Sequence, residues 1–205
     1  METSNTVASN HRPLPAGRSR PNWAGRIALL FLLALPLAAA LDVPASLDED
    51  EIRFSLVGKG TFRWKRIVLA YDACLHGPAT NQSTNLLNGG PLRLEIHYRR
   101  EFSAADIVSG GNALLRRNIS DDLYRTLESR LEKLNRAYVD VKPGDRYTLT
   151  FTPEKGTTLR LNGRPLVTVE GADFAAAYFR IWLGSDPISP ALRDQLLGLK
   201  PASNP

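Results

Sequence analysis

The chain has 205 residues, of which 43% are hydrophobic and 23% are charged, and this is the composition of an ordinary globular protein. The length suggests one domain, large enough to bury a core without disulfides or metals. The formal net charge is +5, but it falls to +2 without residues 1–40, since 22 basic and 20 acidic residues then remain. We therefore expect no nucleic-acid partner, because such a partner requires a clustered basic surface.

The first 40 residues have the composition of a secretory signal peptide. Four arginines precede an uncharged apolar run over residues 27–40, and this run ends in three alanines. It contains 14 residues, whereas a membrane-spanning helix needs about 20. We expect an exported protein, periplasmic or secreted, with no stable membrane span after cleavage. An uncleaved membrane anchor or a buried helix is the alternative.

The rest of the chain is predicted to be one domain over residues 52–198, preceded by an acidic, irregular linker over 41–51 and followed by a tail over 199–205. A short strand is predicted over 52–57, ended by the sequence Gly58-Lys59-Gly60. Thr61 to Leu75 is rich in apolar, β-branched and aromatic residues and predicts a long central strand with a bend. Residues 76–90 are predicted to form a loop.

The middle of the domain predicts one strand and two helices. Leu92 to Tyr98 alternates strictly between apolar and polar residues, as a half-buried strand does. Ser103 is a predicted N-cap for a helix that runs to about residue 117. Gly110-Gly111 lies inside this helix and indicates close packing or a kink, since each interior glycine costs about 1 kcal/mol relative to alanine. A second helix with a leucine stripe is predicted over 120–138.

The last third predicts three strands and two helices. Strands are expected over 147–152, 157–161 and 166–169, with a tight hairpin turn at Asn162-Gly163. A largely apolar helix follows over 173–183, and Ser189-Pro190 is predicted to begin the last helix. This order of elements predicts an α+β fold in which helices lie on an antiparallel sheet.

Three side chains are candidates for chemistry, and each has a simpler interpretation. Cys74 is the single cysteine, so it cannot form an internal disulfide, and we expect a buried structural thiol. His76 lies two residues away on the same face of a strand, so a nucleophile and base pair is the alternative. His97 is expected to be a solvated residue on a polar strand face. No spacing typical of a metal or cofactor site is present, so neither is predicted.

The motifs of this chain, taken in order, resemble those of the bacterial chalcone isomerase-like proteins, which are relatives of plant chalcone isomerase. Each motif is short, but their order and spacing match over roughly residues 52–198. The matching segments are Gly60-Thr61-Phe62-Arg63, Tyr71-Asp72-Ala73-Cys74-Leu75, Phe102-Ser103-Ala104, Lys142-Pro143-Gly144-Asp145, Leu161-Asn162-Gly163, Gly171-Ala172-Asp173-Phe174 and Ile181-Trp182-Leu183-Gly184.

The resemblance implies an open-faced β-sandwich, in which a large antiparallel sheet carries a layer of α-helices on one face. It also implies a cleft between the long strand and the helices. In the plant enzymes an arginine orients the anionic substrate, and Arg63 takes that place here. Tyr71 replaces a threonine of the enzymes, and Asn112 matches an asparagine by spacing. The lysine and the helix tyrosine of the enzymes have no counterparts in this chain.

The resemblance therefore implies a non-catalytic, exported binder of an apolar anionic molecule such as a fatty acid, with Arg63, Tyr71 and Asn112 as ligand-binding residues. One alternative is an isomerase of the chalcone type, in which the same three residues orient the substrate and stabilise oxyanion charge. Another is a structural or interaction module whose cleft is filled by its own side chains. The sequence leaves the oligomeric state open.

Overall fold

The structure is a computed structural model that describes residues 43–49, 51–65, 67–78 and 87–199. The predicted signal peptide, most of the predicted loop over 76–90 and most of the tail lie outside these residues. Within the described part of the chain, the helices are too short or too polar to cross a lipid bilayer.

The described residues form one seven-stranded antiparallel sheet and five helices. Each strand pairs with the next one along the chain. The strands are β1 (Ser46–Glu49), β2 (Ile52–Trp64), β3 (Val68–Pro78), β4 (Leu92–Tyr98), β5 (Arg146–Thr152), β6 (Gly156–Leu161) and β7 (Arg164–Val169). The helices are α1 (Ala104–Asn118), α2 (Asp121–Asn135), α3 (Ala172–Tyr178), α4 (Arg180–Leu183) and α5 (Pro190–Leu196). The helices lie on one side of the sheet, which confirms the predicted α+β architecture.

Serine residues cap three of the helices, where the sequence places them. The hydroxyls of Ser103, Ser120 and Ser189 accept hydrogen bonds from the first turns of α1, α2 and α5, at 3.1, 3.3 and 3.2 Å. Each hydroxyl satisfies a backbone donor that has no partner within its helix. Helix α1 runs through Gly110-Gly111 without a break. The predicted helix over 173–183 is interrupted at Phe179, which separates α3 from α4.

The predicted end of a strand at Gly58-Lys59-Gly60 is wrong, because β2 continues through these residues to Trp64. The chain reverses instead at Lys65, which has a φ of +49°. The single long strand predicted over Thr61–Leu75 is therefore also wrong, because its residues belong to two antiparallel strands, β2 and β3. Both glycines lie against α5. A Cβ atom on Gly58 would lie 2.2 Å from the backbone oxygen of Gln195, and one on Gly60 would lie 2.2 Å from the Gln195 side chain. These glycines therefore permit a close approach between strand and helix.

The prediction of an irregular linker over 41–51 is wrong for Ser46–Glu49, which form β1 at the edge of the sheet. This strand has four residues, two of them acidic, so its local preference for strand structure is weak. Its carboxylate Glu49 contacts Arg93 on β4, Thr150 on β5 and Arg160 on β6. A residue of the first strand can reach these central strands only if the sheet curls.

The alternation of side chains divides the sheet into an apolar face and a polar face. On β4 and β5, one set of residues packs beneath the helices, and the other set lies on the opposite face. The helix-covered face carries Leu92, Leu94, Ile96, Tyr98, Tyr147, Leu149 and Phe151, all of them buried. The leucine stripe of α2 (Leu127, Leu131 and Leu134) completes this core, as the sequence predicts.

Candidate functional site

A cavity of about 150 Å³ lies between the sheet and helices α1 and α4, where the cleft was expected. Its wall is largely aromatic and aliphatic, and hydroxyl groups supply most of its polar atoms. Six aromatic residues with a polar atom line it: Tyr71, Tyr98, Tyr138, Tyr147, Tyr178 and Trp182. An apolar space with a few convergent polar groups is the usual form of a small-molecule site.

Helix α1 leaves this space open because two of the residues that it contributes to the wall, Gly110 and Gly111, have no side chain. A Cβ atom on Gly111 would lie 3.8 Å from the hydroxyl of Tyr178 and 3.9 Å from Cδ1 of Ile181, which is ordinary van der Waals contact. Gly110 and, about one turn before it, Asp106 also line the cavity, and both are exposed to solvent. The cavity therefore reaches the surface at the N-terminal half of α1.

Hydrogen bonds fix several of the hydroxyl groups in the wall. The hydroxyls of Tyr138 and Tyr178 share a bond of 3.0 Å. The indole Nε1 of Trp182 donates to the hydroxyl of Tyr71 at 3.3 Å. The Tyr147 hydroxyl accepts from the backbone N–H of Val139 at 2.9 Å and donates to the carbonyl of the same residue at 3.0 Å. Tyr147 is therefore satisfied, whereas the others retain hydrogen-bonding capacity.

Burial keeps these phenols neutral. Desolvation raises the pKa of Tyr178 to about 12, although a hydrogen bond with Tyr138 opposes the shift. Burial likewise raises the pKa values of Tyr71, Tyr98 and Tyr138 well above 10. An ionised phenolate would lose its hydration in this apolar environment. The hydroxyls are therefore hydrogen-bonding groups and not bases at neutral pH.

The structure places one of the three predicted ligand-binding residues at the cavity. Tyr71 lines it, but Arg63 and Asn112 do not. Arg63 is exposed at the end of β2, directly after Phe62, which does line the cavity. The side-chain oxygen of Asn112 accepts a hydrogen bond of 3.2 Å from Asn135, which links α1 to α2.

Sequence reasoning missed most of the polar groups in the wall. A usable signal existed for Tyr98, because strand alternation places it on the same face as the core leucines of β4. No comparable signal existed for Tyr138, which lies beyond the end of α2, or for Tyr178 and Trp182, which lie in an apolar helical segment. Their convergence depends on the packing of distant elements.

A second cluster of polar groups lies on the other face of the sheet, around Glu95. This carboxylate accepts hydrogen bonds from Arg93 at 2.8 Å and from His97 at 2.5 Å, and Arg146 lies 3.5 Å away. The prediction that His97 is a solvated side chain is therefore wrong. Its imidazole is only 21% exposed and belongs to a cluster of ion pairs.

The environments of these groups shift their pKa values in ways that suit structural roles. Desolvation raises the pKa of Glu95, but hydrogen bonds from His97 and Arg93 and the charge of Arg146 outweigh it, so the pKa falls to about 2. Burial, together with the charge of Glu95, raises the pKa of the Cys74 thiol to about 12. Burial also lowers the pKa of His76. A nucleophilic cysteine needs a lowered pKa, so Cys74 has the opposite tuning.

Cys74, Glu95 and His97 have ligand atoms within 4.8 Å of one another, and these residue types can bind a metal ion. Two guanidinium groups, those of Arg93 and Arg146, already neutralise Glu95. A divalent cation here would have to displace these hydrogen bonds and approach two fixed positive charges. The donor set therefore fits a metal poorly and an ion-pair cluster well.

Comparison with known proteins identifies the family. The sequence profile of the chalcone isomerase-like family matches residues 38–198. No curated protein matches the chain by sequence. The crystal structure of a fatty-acid binding protein from Arabidopsis thaliana is similar, with a TM-score of 0.57 and 12% identity, over 76% of this chain and 90% of that one. At this identity the likeness shows the fold alone. The family profile spans more than half of the residues, so the chain belongs to the chalcone isomerase-like family.

Proposed function

We propose that this chain is an exported, non-catalytic protein that binds a small apolar molecule, such as a fatty acid, in the cavity between the sheet and α1. The observation that carries the proposal is the partly enclosed, aromatic cavity with a few hydroxyl groups in its wall. Membership of the family and the likeness to a fatty-acid binding protein support it. Export rests on the composition of residues 1–40.

The volume of the cavity limits the part of a ligand that it can enclose. An apolar cavity of about 150 Å³ has the size that encloses one benzene molecule. The enclosed part therefore has about six heavy atoms, which is one aromatic ring or a short alkyl chain. A longer acyl chain would extend through the opening beside Asp106 and Gly110.

A chain-length series tests this proposal. Each methylene that enters the cavity contributes about 0.8 kcal/mol, or about a fourfold gain in affinity. Titration calorimetry with straight-chain ligands of four to twelve carbons should show this gain up to about six carbons, and smaller gains beyond. A steady gain to twelve carbons would mean that the ligand lies elsewhere or that the cavity enlarges.

Two alanine variants on α1 test whether the ligand lies in the cavity. Gly111→Ala places a methyl group in the cavity without a clash, since its nearest contacts are 3.8 and 3.9 Å away. It should weaken binding about fourfold, the equivalent of one displaced methylene. Ser109→Ala is the control, because this exposed residue of α1 does not line the cavity. Equal affinities for both variants would place the ligand outside this cavity.

The structure bears differently on the two alternative functions, an interaction module and an isomerase. The cavity weighs against an interaction module with a filled cleft, because the cleft between the sheet and α1 holds open space. An isomerase remains the second candidate, because the hydroxyls of the wall could hydrogen-bond an oxyanion. Turnover of chalcones or simple enones by the purified protein, abolished by Tyr71→Phe, would replace the binding proposal with this one.

Export can be tested apart from binding. We expect a host that recognises the signal peptide to release a mature chain that begins near residue 41. N-terminal sequencing of the protein from the periplasm or medium would check this. A full-length chain retained in the membrane fraction would favour an uncleaved anchor.

A further inference from the structure

We infer that the cavity selects ligands whose polar end is uncharged, such as a ketone, an alcohol, a phenol or a protonated acid, over carboxylate anions. This inference rests on the proposed function, since it names the chemical class that the same cavity takes. It departs from the expectation that Arg63 holds an anionic ligand.

The charges around the cavity are unfavourable to an anion. Among the described residues, the wall contains one charged side chain, Asp106, and it contains no lysine, arginine or histidine. Asp106 lies at the opening, where its carboxylate accepts a hydrogen bond of 2.6 Å from Ser103. A carboxylate ligand would leave water, pass this negative charge and find no cation inside. Burial of an unpaired charge is strongly unfavourable.

The hydroxyl groups supply the donors that a neutral oxygen needs. Tyr98 is 6% exposed, and its hydroxyl has no hydrogen-bond partner within the described part of the chain. Tyr71 accepts from Trp182, so its own proton is available to a ligand. The single bond between Tyr138 and Tyr178 leaves one more proton without an acceptor. A carbonyl or hydroxyl oxygen can accept from these groups without bringing a charge into the cavity.

The aromatic rings favour the same ligands. Tyr98 packs edge-on against Tyr71 and Tyr147, with ring centroids 6.0 Å apart in both pairs. The rings therefore form an apolar wall beside the unpartnered hydroxyl. A short ketone or a phenol would fill such a space with its apolar part while its oxygen meets the phenol groups.

The test compares three ligands of equal chain length: hexan-2-one, hexan-1-ol and hexanoate. Calorimetry at pH 7.5 with the purified protein should give at least tenfold tighter binding for each neutral ligand than for hexanoate. Hexanoate that binds as tightly as the ketone, with this affinity lost in Arg63→Ala, would overturn the inference and leave the proposed function standing. Failure of all three ligands, and of benzene, would overturn both.

Two tyrosine-to-phenylalanine variants test which hydroxyl group causes the preference for neutral ligands. Tyr98→Phe removes the unpartnered hydroxyl and should weaken hexan-2-one about fivefold, with benzene binding unchanged. Tyr124→Phe is the control, because this buried tyrosine of α2 does not line the cavity, and the ratio of ketone to hexanoate affinity should stay the same. A variant that only disturbs the structure would change the affinities for ketone and hexanoate together and leave their ratio the same. An unchanged ratio in Tyr98→Phe would overturn the assignment.

Discussion

The two faces of the central strands differ in kind, although residues of the same strands alternate between them. One face borders a cavity, and the other carries a cluster of ion pairs. On β4, Ile96 and Tyr98 face the helices and border a space that the protein leaves open. Glu95 and His97, on the same strand, face the other way into a cluster of ion pairs, in which Glu95 is paired with Arg93, His97 and Arg146. The apolar face therefore leaves space unfilled, whereas the carboxylate at the centre of the polar cluster is paired with several cationic groups.

This difference indicates which face is suited to binding. A cavity has lost the dispersion contacts that a filled core would have, so a ligand can restore them. The ion-pair cluster has no such deficit, because a ligand there would have to replace hydrogen bonds that already exist. The comparison can be tested by disturbing each face in turn.

The largest effect is expected from Glu95→Ala on the polar face. The change leaves Arg93, Arg146 and His97 without their shared carboxylate in a largely buried site. We expect a loss of about 4 kcal/mol in the free energy of unfolding, measured by urea denaturation.

Glu132→Ala is the matched control, because its ion pair with Arg136 lies on the surface of α2, with side chains 57% and 77% exposed. It should cost less than about 1 kcal/mol. Equal losses for Glu95→Ala and Glu132→Ala would mean that the cluster is not a structural unit.

Acid should destabilise the protein through the same carboxylate. The folded-state pKa of Glu95 is lowered from 4.5 to about 2, so its contribution is complete above about pH 4.5 and is lost as the pH falls towards 2. The loss amounts to about 3 kcal/mol. Urea denaturation between pH 6 and pH 2.5 measures it, and Glu95→Gln should flatten this part of the profile. A parallel profile in Glu95→Gln would assign the acid sensitivity to other groups.

A smaller effect is expected on the apolar face from Tyr138→Phe. The change removes one partner of the bond between Tyr138 and Tyr178 and leaves the Tyr178 hydroxyl unpaired. We expect a loss of about 1 kcal/mol in the free energy of unfolding. A saturating neutral ligand that accepts from Tyr178 should restore part of it. If the ligand leaves the free energy of unfolding of Tyr138→Phe unchanged, the Tyr138 and Tyr178 pair does not belong to the binding site.

The smallest effect, and one of opposite sign, is expected from Gly111→Ala. Alanine in the interior of a helix is more favourable than glycine, and the new methyl group fills empty space, so stability should rise by about 0.5–1 kcal/mol. Gly110→Ala should give a similar gain from helix propensity alone. Thermal unfolding of both variants checks this, and a loss of stability in Gly111→Ala would mean that the space beside it is already filled.

Local patterns were sufficient to predict most of the fold. The alternation of β4, the serine caps and the Asn162-Gly163 turn were each read correctly, and both turn residues have positive φ, at 51° and 84°. Gly58 and Gly60 misled the prediction, because a glycine that permits close packing looks the same in sequence as one that permits a turn. Glycine is required at these two positions because α5, about 135 residues further along the chain, packs closely against them.

The site was harder to predict than the fold. Tyr71 was found by resemblance, whereas Tyr98 and Tyr178 join it only after the sheet and helices pack together. Gly110-Gly111 did give a local sign, but the sequence could not distinguish close packing from an open cavity. Arg63 was singled out by resemblance, and its place outside the cavity wall depends on the course of the chain at the end of β2.

The most direct test of the account is a crystal structure of the protein grown with saturating hexan-2-one. We expect density for the ketone between the sheet and α1, with its alkyl chain beside Gly111 and its oxygen within hydrogen-bonding distance of the Tyr98 or Tyr71 hydroxyl. An empty cavity, with the ligand bound at Arg63 or elsewhere on the surface, would contradict the account.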